Sequence, residues 1–142
     1  MTYLVSRNWI LPTSEDLKGS PVWLFHLWGT KQWPYDNLQV GDKLALVQTR
    51  RRHLLYEVRA DRIERSSYVS HPDARDQINR IMTPDSVDTR QEHFRQAPKT
   101  GVLLAFRCSL VRNLDLPRPD NVKRLPRLGW VRDPVEIRRW GV

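Results

Sequence analysis

Apolar and polar positions along this 142-residue chain alternate more often than they recur at helical spacing. Thr2 to Ser6 (TYLVS) is β-branched and aromatic, which predicts an opening strand. Lys43 to Thr49 (KLALVQT) predicts another, entered through Gly41-Asp42 as a turn. Leu54 to Glu64 (LLYEVRADRIE) alternates, with Leu55, Glu57, Arg59 and Asp61 on one face and Leu54, Tyr56, Val58, Ala60 and Arg62 on the other. With Arg50-Arg51-Arg52-His53 between them, these two segments form a hairpin. Gly101 to Leu114 (GVLLAFRCSLVRNL) is the longest strand candidate. Val22 to Leu27 is apolar apart from His26, and so short a run fits a strand or a buried helix equally.

Helical signals are fewer. Thr13 followed by Asp16, with Gly19 as a stop, marks one or two turns. Ser70-His71-Pro72-Asp73 opens a stronger helix, with Ser70 as cap, Pro72 in the first turn and Asp73 reaching back. It carries Ile78, Ile81 and Met82 on one side and stops before Pro84. Asp85 to Gln96 is polar apart from Val87 and Phe94, and reads as a second helix or a loop. The tail from Pro117 is proline-rich, tied down by Leu125, Leu128, Trp130, Ile137 and Trp140. No repeat and no linker interrupts the chain. The pattern predicts one α+β domain over residues 1–142, built as a partly closed barrel with short helices beside it.

Charge changes this picture. The formal net charge is +8 and the pI near 10.2, with arginine outnumbering lysine nineteen to five. Positive surface attracts polyanions, and guanidinium groups suit phosphate forks and base stacking. A GC-rich genome raises arginine without any functional cause, so composition alone does not decide. The excess is concentrated: from Lys99 to Val142 ten basic residues face four acidic ones. Within it lie Lys123, Arg124 and Arg127, and the hairpin tip adds Arg50, Arg51, Arg52 and His53. Both are candidate contacts to a nucleic-acid backbone, although a hairpin tip is also an ordinary solvated feature.

Other features narrow the class. The apolar runs are far shorter than the roughly 20 residues that cross a membrane. No charged-then-apolar leader opens the chain, and the single cysteine, Cys108, sits in a strand as a buried thiol. A cytoplasmic location without a membrane partner is the expectation. The chain has no GxSxG, no GxxxxGK[ST] and no GxGxxG. His26, His53, His71 and His93 have no histidine or cysteine partner at metal-ligand spacing. Pro-Asp pairs at positions 72, 84 and 119 lack the [DE]xK that would complete a nuclease metal site. The expectation is a binder rather than an enzyme, with no cofactor and no metal. Asp42, Glu57 and Asp61 are the carboxylates that an alternative RNA- or nucleotide-acting enzyme would use.

Three separated pieces resemble the EVE domain of the PUA-like superfamily, which also includes the YTH readers. The first is TYLVSRNW, a strand running into Asn8-Trp9. The second is Leu27-Trp28-Gly29-Thr30, followed by LQVGDKLAL (38–46) and then Leu55-Tyr56-Glu57-Val58. The third is LPRLGWV (125–131) followed by Arg139-Trp140-Gly141. This resemblance implies a curved barrel of five or six strands and a pocket that accepts one extruded, modified base. It implies Trp28 as the cage residue, Asn8 and Trp9 on the loop closing the pocket, and Ser6 and Thr30 at its edge. The second cage wall in that family follows the Glu-Val strand, and here that place holds Ser66, Ser67 and Tyr68, without a tryptophan. Modified cytosine in DNA is the expected target, with RNA as the alternative and a nuclease as candidate partner, because EVE-like modules often sit beside nucleases.

The tryptophans also have plainer readings. Trp23 and Phe25 read as core, Trp130 and Trp140 as tail anchors, and Trp33 as rim or core. Asn8 could cap a turn. A third reading of the Trp-rich stretch is an exposed patch that docks a partner protein.

Overall fold

The computed structural model describes residues 2–7, 22–48, 53–82, 97–120 and 129–141. Six strands are present among them: β1 (Thr2–Arg7), β2 (Val22–Trp28), β3 (Lys43–Gln48), β4 (His53–Tyr68), β5 (Gly101–Pro117) and β6 (Gly129–Val131). They form one mixed sheet in the order β2-β5-β4-β3-β1-β6, with β1 parallel to β3 and the other pairings antiparallel. Two helices are described, α1 (His71–Met82) and α2 (Pro134–Arg139). The sheet curls into a half-barrel, as the α+β expectation has it. No helix among the described residues is long and apolar enough to cross a membrane.

The curl originates in the two long strands. β4 has 16 residues and β5 has 17, and their register shifts between Leu54 and Tyr56, Glu57 and Val58, and Ala60 and Arg62. Each such bulge bends its strand and raises the local twist. The same shifts correct the simple alternation read from the sequence. Tyr56, Val58 and Ala60 lie in the inner core, whereas Leu54 packs on the outer face with Leu4, Ala45 and Trp140. Arg62 is likewise outside, over the Trp23 ring, while Ile63 packs inward.

Both faces of the sheet are covered in part. The concave face buries Tyr3, Val5, Leu44, Leu46, Tyr56, Val58, Leu104 and Phe106. On the convex face, Ala74 and Ile78 of α1 cover Trp23, Tyr68, Leu103 and Ala105. At its other end, Ile137 and Trp140 cover Leu4, Ala45, Val47 and Leu54. Burying a side chain such as Phe106 or Leu104 stabilises the fold by about 1.5–3 kcal/mol. The ambiguity at Val22–Leu27 is resolved here. The run is a strand, and all but His26 of it is apolar because both of its faces are packed.

Helix α1 starts where the capping signal places it. Ser70 Oγ accepts from the Asp73 backbone N–H at 3.1 Å, and Asp73 Oδ2 accepts from the Val69 N–H at 2.9 Å. The expected helix at Thr13–Gly19, the Asp85–Gln96 segment and the hairpin tip at Arg50–Arg52 lie outside the described residues.

Candidate functional site

Alternation along β2 sends Leu24, His26 and Trp28 to the concave face. The His26 and Trp28 rings stack at 4.7 Å with an interplanar angle of 18°. Across the opening of the half-barrel, Trp130 of β6 donates its Nε1–H to His26 Nδ1 at 2.7 Å. β2 and β6 are the two outermost strands of the sheet, so this bond spans the seam between its edges. A nitrogen that accepts carries no proton, which places the imidazole hydrogen on Nε2. Trp130 meets Tyr3 edge-on at 5.8 Å and Phe106 at 5.7 Å. Tyr3 lies 5.5 Å from Trp33, and Tyr35 meets Trp28 edge-on at 6.3 Å. The result is a contiguous arc of six rings: Tyr35, Trp28, His26, Trp130, Tyr3 and Trp33. Its two tyrosines are buried, and its tryptophans and histidine are half-buried.

A cation stands at each end of the arc. Lys31 Nζ is 5.6 Å from the Tyr35 ring centre, and the Arg132 guanidinium is 5.6 Å from that of Trp33. Lys31, Trp33 and Tyr35 share the segment 29–42, which folds on itself through Tyr35 N–H to Gln32 O (2.7 Å) and Leu38 N–H to Pro34 O (3.0 Å). Its Trp33-Pro34 peptide is cis. Arg65 of β4 fastens it, donating Nε–H to the Tyr35 carbonyl at 2.6 Å and Nη2–H to the Leu38 carbonyl. The segment then closes on the sheet through Gly41 N–H to Ala60 O (2.8 Å) and Ala60 N–H to Asp42 O (2.9 Å). Gly41 has φ +97°, a conformation that suits glycine. Gly101 is needed for another reason: a Cβ there would lie 1.9 Å from the Trp28 carbonyl oxygen, where β5 begins beside the end of β2.

The two buried tyrosines stay protonated to higher pH than usual. Burial raises both phenols; the Asp42 charge and a hydrogen bond to it raise Tyr3 further. For Tyr35 the Arg65 charge opposes the shift and Asp36 adds to it. The arc is therefore a surface of neutral rings with positive charge at its rim.

Of the residues read from the sequence, Trp28 and Trp33 are brought together here, with Thr30 exposed between them on the same segment. Ser6 ends the β1 pairing with β6, opposite Gly129 and next to Trp130's own partner Val5. Tyr68 is not brought to the arc. It is 2% exposed on the convex side beneath α1, and its hydroxyl donates to Pro98 O at 2.8 Å. His53 opens β4 opposite Pro117. Asn8, Trp9, Arg50, Arg51, Arg52, Lys123, Arg124 and Arg127 lie outside the described residues. His26, Trp130, Tyr3, Tyr35, Lys31 and Arg132 are added by the structure. Only His26 had a usable signal, its two-residue spacing from Trp28 in a strand.

Of the three candidate carboxylates only Asp42 reaches the arc, at the Tyr3 hydroxyl. Asp42 accepts from the Gln39 N–H at 2.9 Å and braces the turn. Glu57 pairs with Lys43 and Arg112, and Asp61 with Arg107 and Ser109, all on the convex side.

No protein-family model matches the chain, and no curated protein matches it. Two solved structures do. An ASCH protein from Zymomonas mobilis superposes with a TM-score of 0.56 at 12% identity, over 99% of this chain and 93% of that one. A point variant of the same protein gives 0.53 at 12% identity, over 99% and 96%. ASCH domains have the PUA-like architecture. The fold is PUA-like. The matches reach the superfamily fold on which the EVE resemblance rests, and they are to its ASCH branch. Within this PUA-like half-barrel the aromatic arc occupies the seam between the sheet edges.

Proposed function

We propose that this chain is a nucleic-acid-binding reader without catalytic chemistry of its own, of EVE type within the PUA-like fold. It takes one extruded base against the aromatic arc, with modified cytosine in DNA as target and RNA as the competing substrate. The observation that carries this reading is Trp28: half-buried, backed by His26 on one face and flanked by a buried tyrosine.

The energetics favour such a site. Extruding a base costs a few kcal/mol, and stacking on an aromatic ring returns about 1–3 kcal/mol per base. A methyl group on the base adds apolar area that rings bury better than water does. Lys31 and Arg132, one at each end of the arc, supply cations for the flanking phosphates of an inserted nucleotide. Neutral rings also suit a neutral base. Of the carboxylates that an enzyme would need, Glu57 and Asp61 are committed to ion pairs on the convex side, and Asp42 braces a turn while bonding the Tyr3 hydroxyl. Cleavage of a recognised strand would fall to a nuclease partner.

Titrating DNA duplexes with and without a modified cytosine, and the matching RNA, tests this at several salt concentrations. Trp28→Ala should remove roughly 10- to 100-fold of preference for the modified base, the equivalent of one ring's stacking. The salt-sensitive part of binding should survive. Equal affinity of the wild-type protein for modified and unmodified strands would sink the reader function.

A further inference from the structure

Among the described residues no element covers the convex face of the sheet between the two helices, and that face is not apolar. Register places Lys43 of β3 beside Arg59 of β4, Arg59 beside Ser109 of β5, and Arg62 beside Arg107. Arg112 lies opposite Glu57. Three strands spaced about 4.8 Å apart hold these groups in a band about 10 Å wide.

The cations in this band are more exposed than their carboxylate partners, most of all around Glu57. Glu57 is 6% exposed at its side chain, whereas its partners Lys43 and Arg112 are 44% and 55% exposed. Asp61 holds the Arg107 Nε–H at 2.7 Å and also accepts from Ser109. Arg62 pairs with Glu64 at 3.5 Å and lies over the Trp23 ring, with 58% of its side chain exposed. Arg59 is exposed at the centre, and no ion pair joins it to another described residue. Glu57 spends its charge on orienting its neighbours, and with Arg59 unmatched among the described residues the five cations of the band outnumber Glu57, Asp61 and Glu64. Cations already held in place lose less freedom when they bind.

We infer that this convex band is a second nucleic-acid contact, a sequence-blind seat for a phosphate backbone on the face opposite the aromatic arc. It rests on the nucleic-acid reading above and adds a separate surface to it. Charge complementarity selects the occupant: a regular row of phosphates meets a rigid row of exposed cations. The arc would choose the base while the band holds a neighbouring stretch of strand.

The test uses the full chain carrying Arg59→Gln, Arg62→Gln and Arg112→Gln together, its folding checked by thermal unfolding against wild type. Binding of an unmodified DNA duplex is followed as salt is raised. The slope of log K against log salt should fall by about 0.9 for each phosphate contact removed, so by up to about 2.7. Trp28→Ala should leave that slope unchanged. A folded triple variant with the wild-type slope overturns this inference alone. Wild-type protein with no salt-dependent affinity for DNA or RNA overturns the functional proposal and this one with it. An unchanged duplex slope together with lost binding of poly-glutamate would also overturn it, assigning the band to an acidic protein segment.

Discussion

The two faces of this sheet use the same strands for opposite chemistry. Along β5, Phe106 points into the concave core beside Trp130, and its neighbour Arg107 points out to Asp61. Along β2, His26 and Trp28 turn inward while Phe25 and Leu27 pack toward α1. The concave side gathers neutral rings and holds them by packing and one side-chain hydrogen bond across the seam. The convex side gathers charge, with cations more exposed than the acids they pair with. Stacking responds weakly to salt and depends on the shape of a base, whereas phosphate contacts fade as ionic strength rises and ignore sequence. On the proposed reading, the two-residue period of the strands would separate choice of base from grip on the backbone.

The largest effect that could break this contrast is on stability. Phe106→Ala should cost about 3–5 kcal/mol, because it empties a fully buried site and removes the ring against which Trp130 rests. Arg107→Ala, one residue along, should cost no more than about 1 kcal/mol, since its ion pair is partly open to solvent. Denaturant unfolding of the two variants measures both. Equal losses would mean that the convex pairs are part of the structural core.

Most of the fold was legible in the sequence because it rests on local signals. The β3–β4 hairpin followed from alternation and a basic tip, and α1 from Ser70 and Asp73. The bulges were not legible. A shift between Leu54 and Tyr56 changes which face a side chain takes without changing the composition of the strand. The candidate site was half legible for a related reason. Trp28 stood out in its motif, but Trp130 lies 102 positions further along the chain, and the His26–Trp130 bond exists only because the sheet curls edge to edge. Trp23 shows the same limit in reverse: it reads as core and is core, yet on the opposite face from Trp28. Tyr68 was placed near the pocket by family likeness, and the length of β4 carries it to the far side.

A smaller effect would show whether the seam depends on that one bond. Trp130→Phe keeps an aromatic ring against Tyr3 and Phe106 but removes the Nε1–H that reaches His26 Nδ1. Losing this half-buried hydrogen bond should cost about 1 kcal/mol. The near-ultraviolet circular dichroism of the stacked His26–Trp28 pair should change with it. Binding of a modified base should weaken, while the salt slope assigned to the convex face should not move. A variant that lost both would show that the two faces are coupled through the sheet.

The smallest effect is a difference between faces at alkaline pH. Tyr3 and Tyr35 on the concave side and Tyr68 on the convex side all have phenol pKa values above the usual 10, with burial as the first cause. Below about pH 10 each is protonated whether the chain is folded or not, so these groups add no pH dependence there. Above it the unfolded chain ionises first, and stability falls through the interval up to each folded pKa. The fall is at most about 1.4 kcal/mol per pH unit for each tyrosine. Tyr3 differs from Tyr68 in having Asp42 beside it, whose negative charge and hydrogen bond further disfavour the phenolate. Tyr68 is raised by burial alone. Tyr3→Phe should therefore flatten the alkaline loss of stability more than Tyr68→Phe, as measured by denaturant unfolding from about pH 8 to about pH 11. Equal flattening would remove Asp42 from the electrostatics of the arc and leave burial as the common cause on both faces.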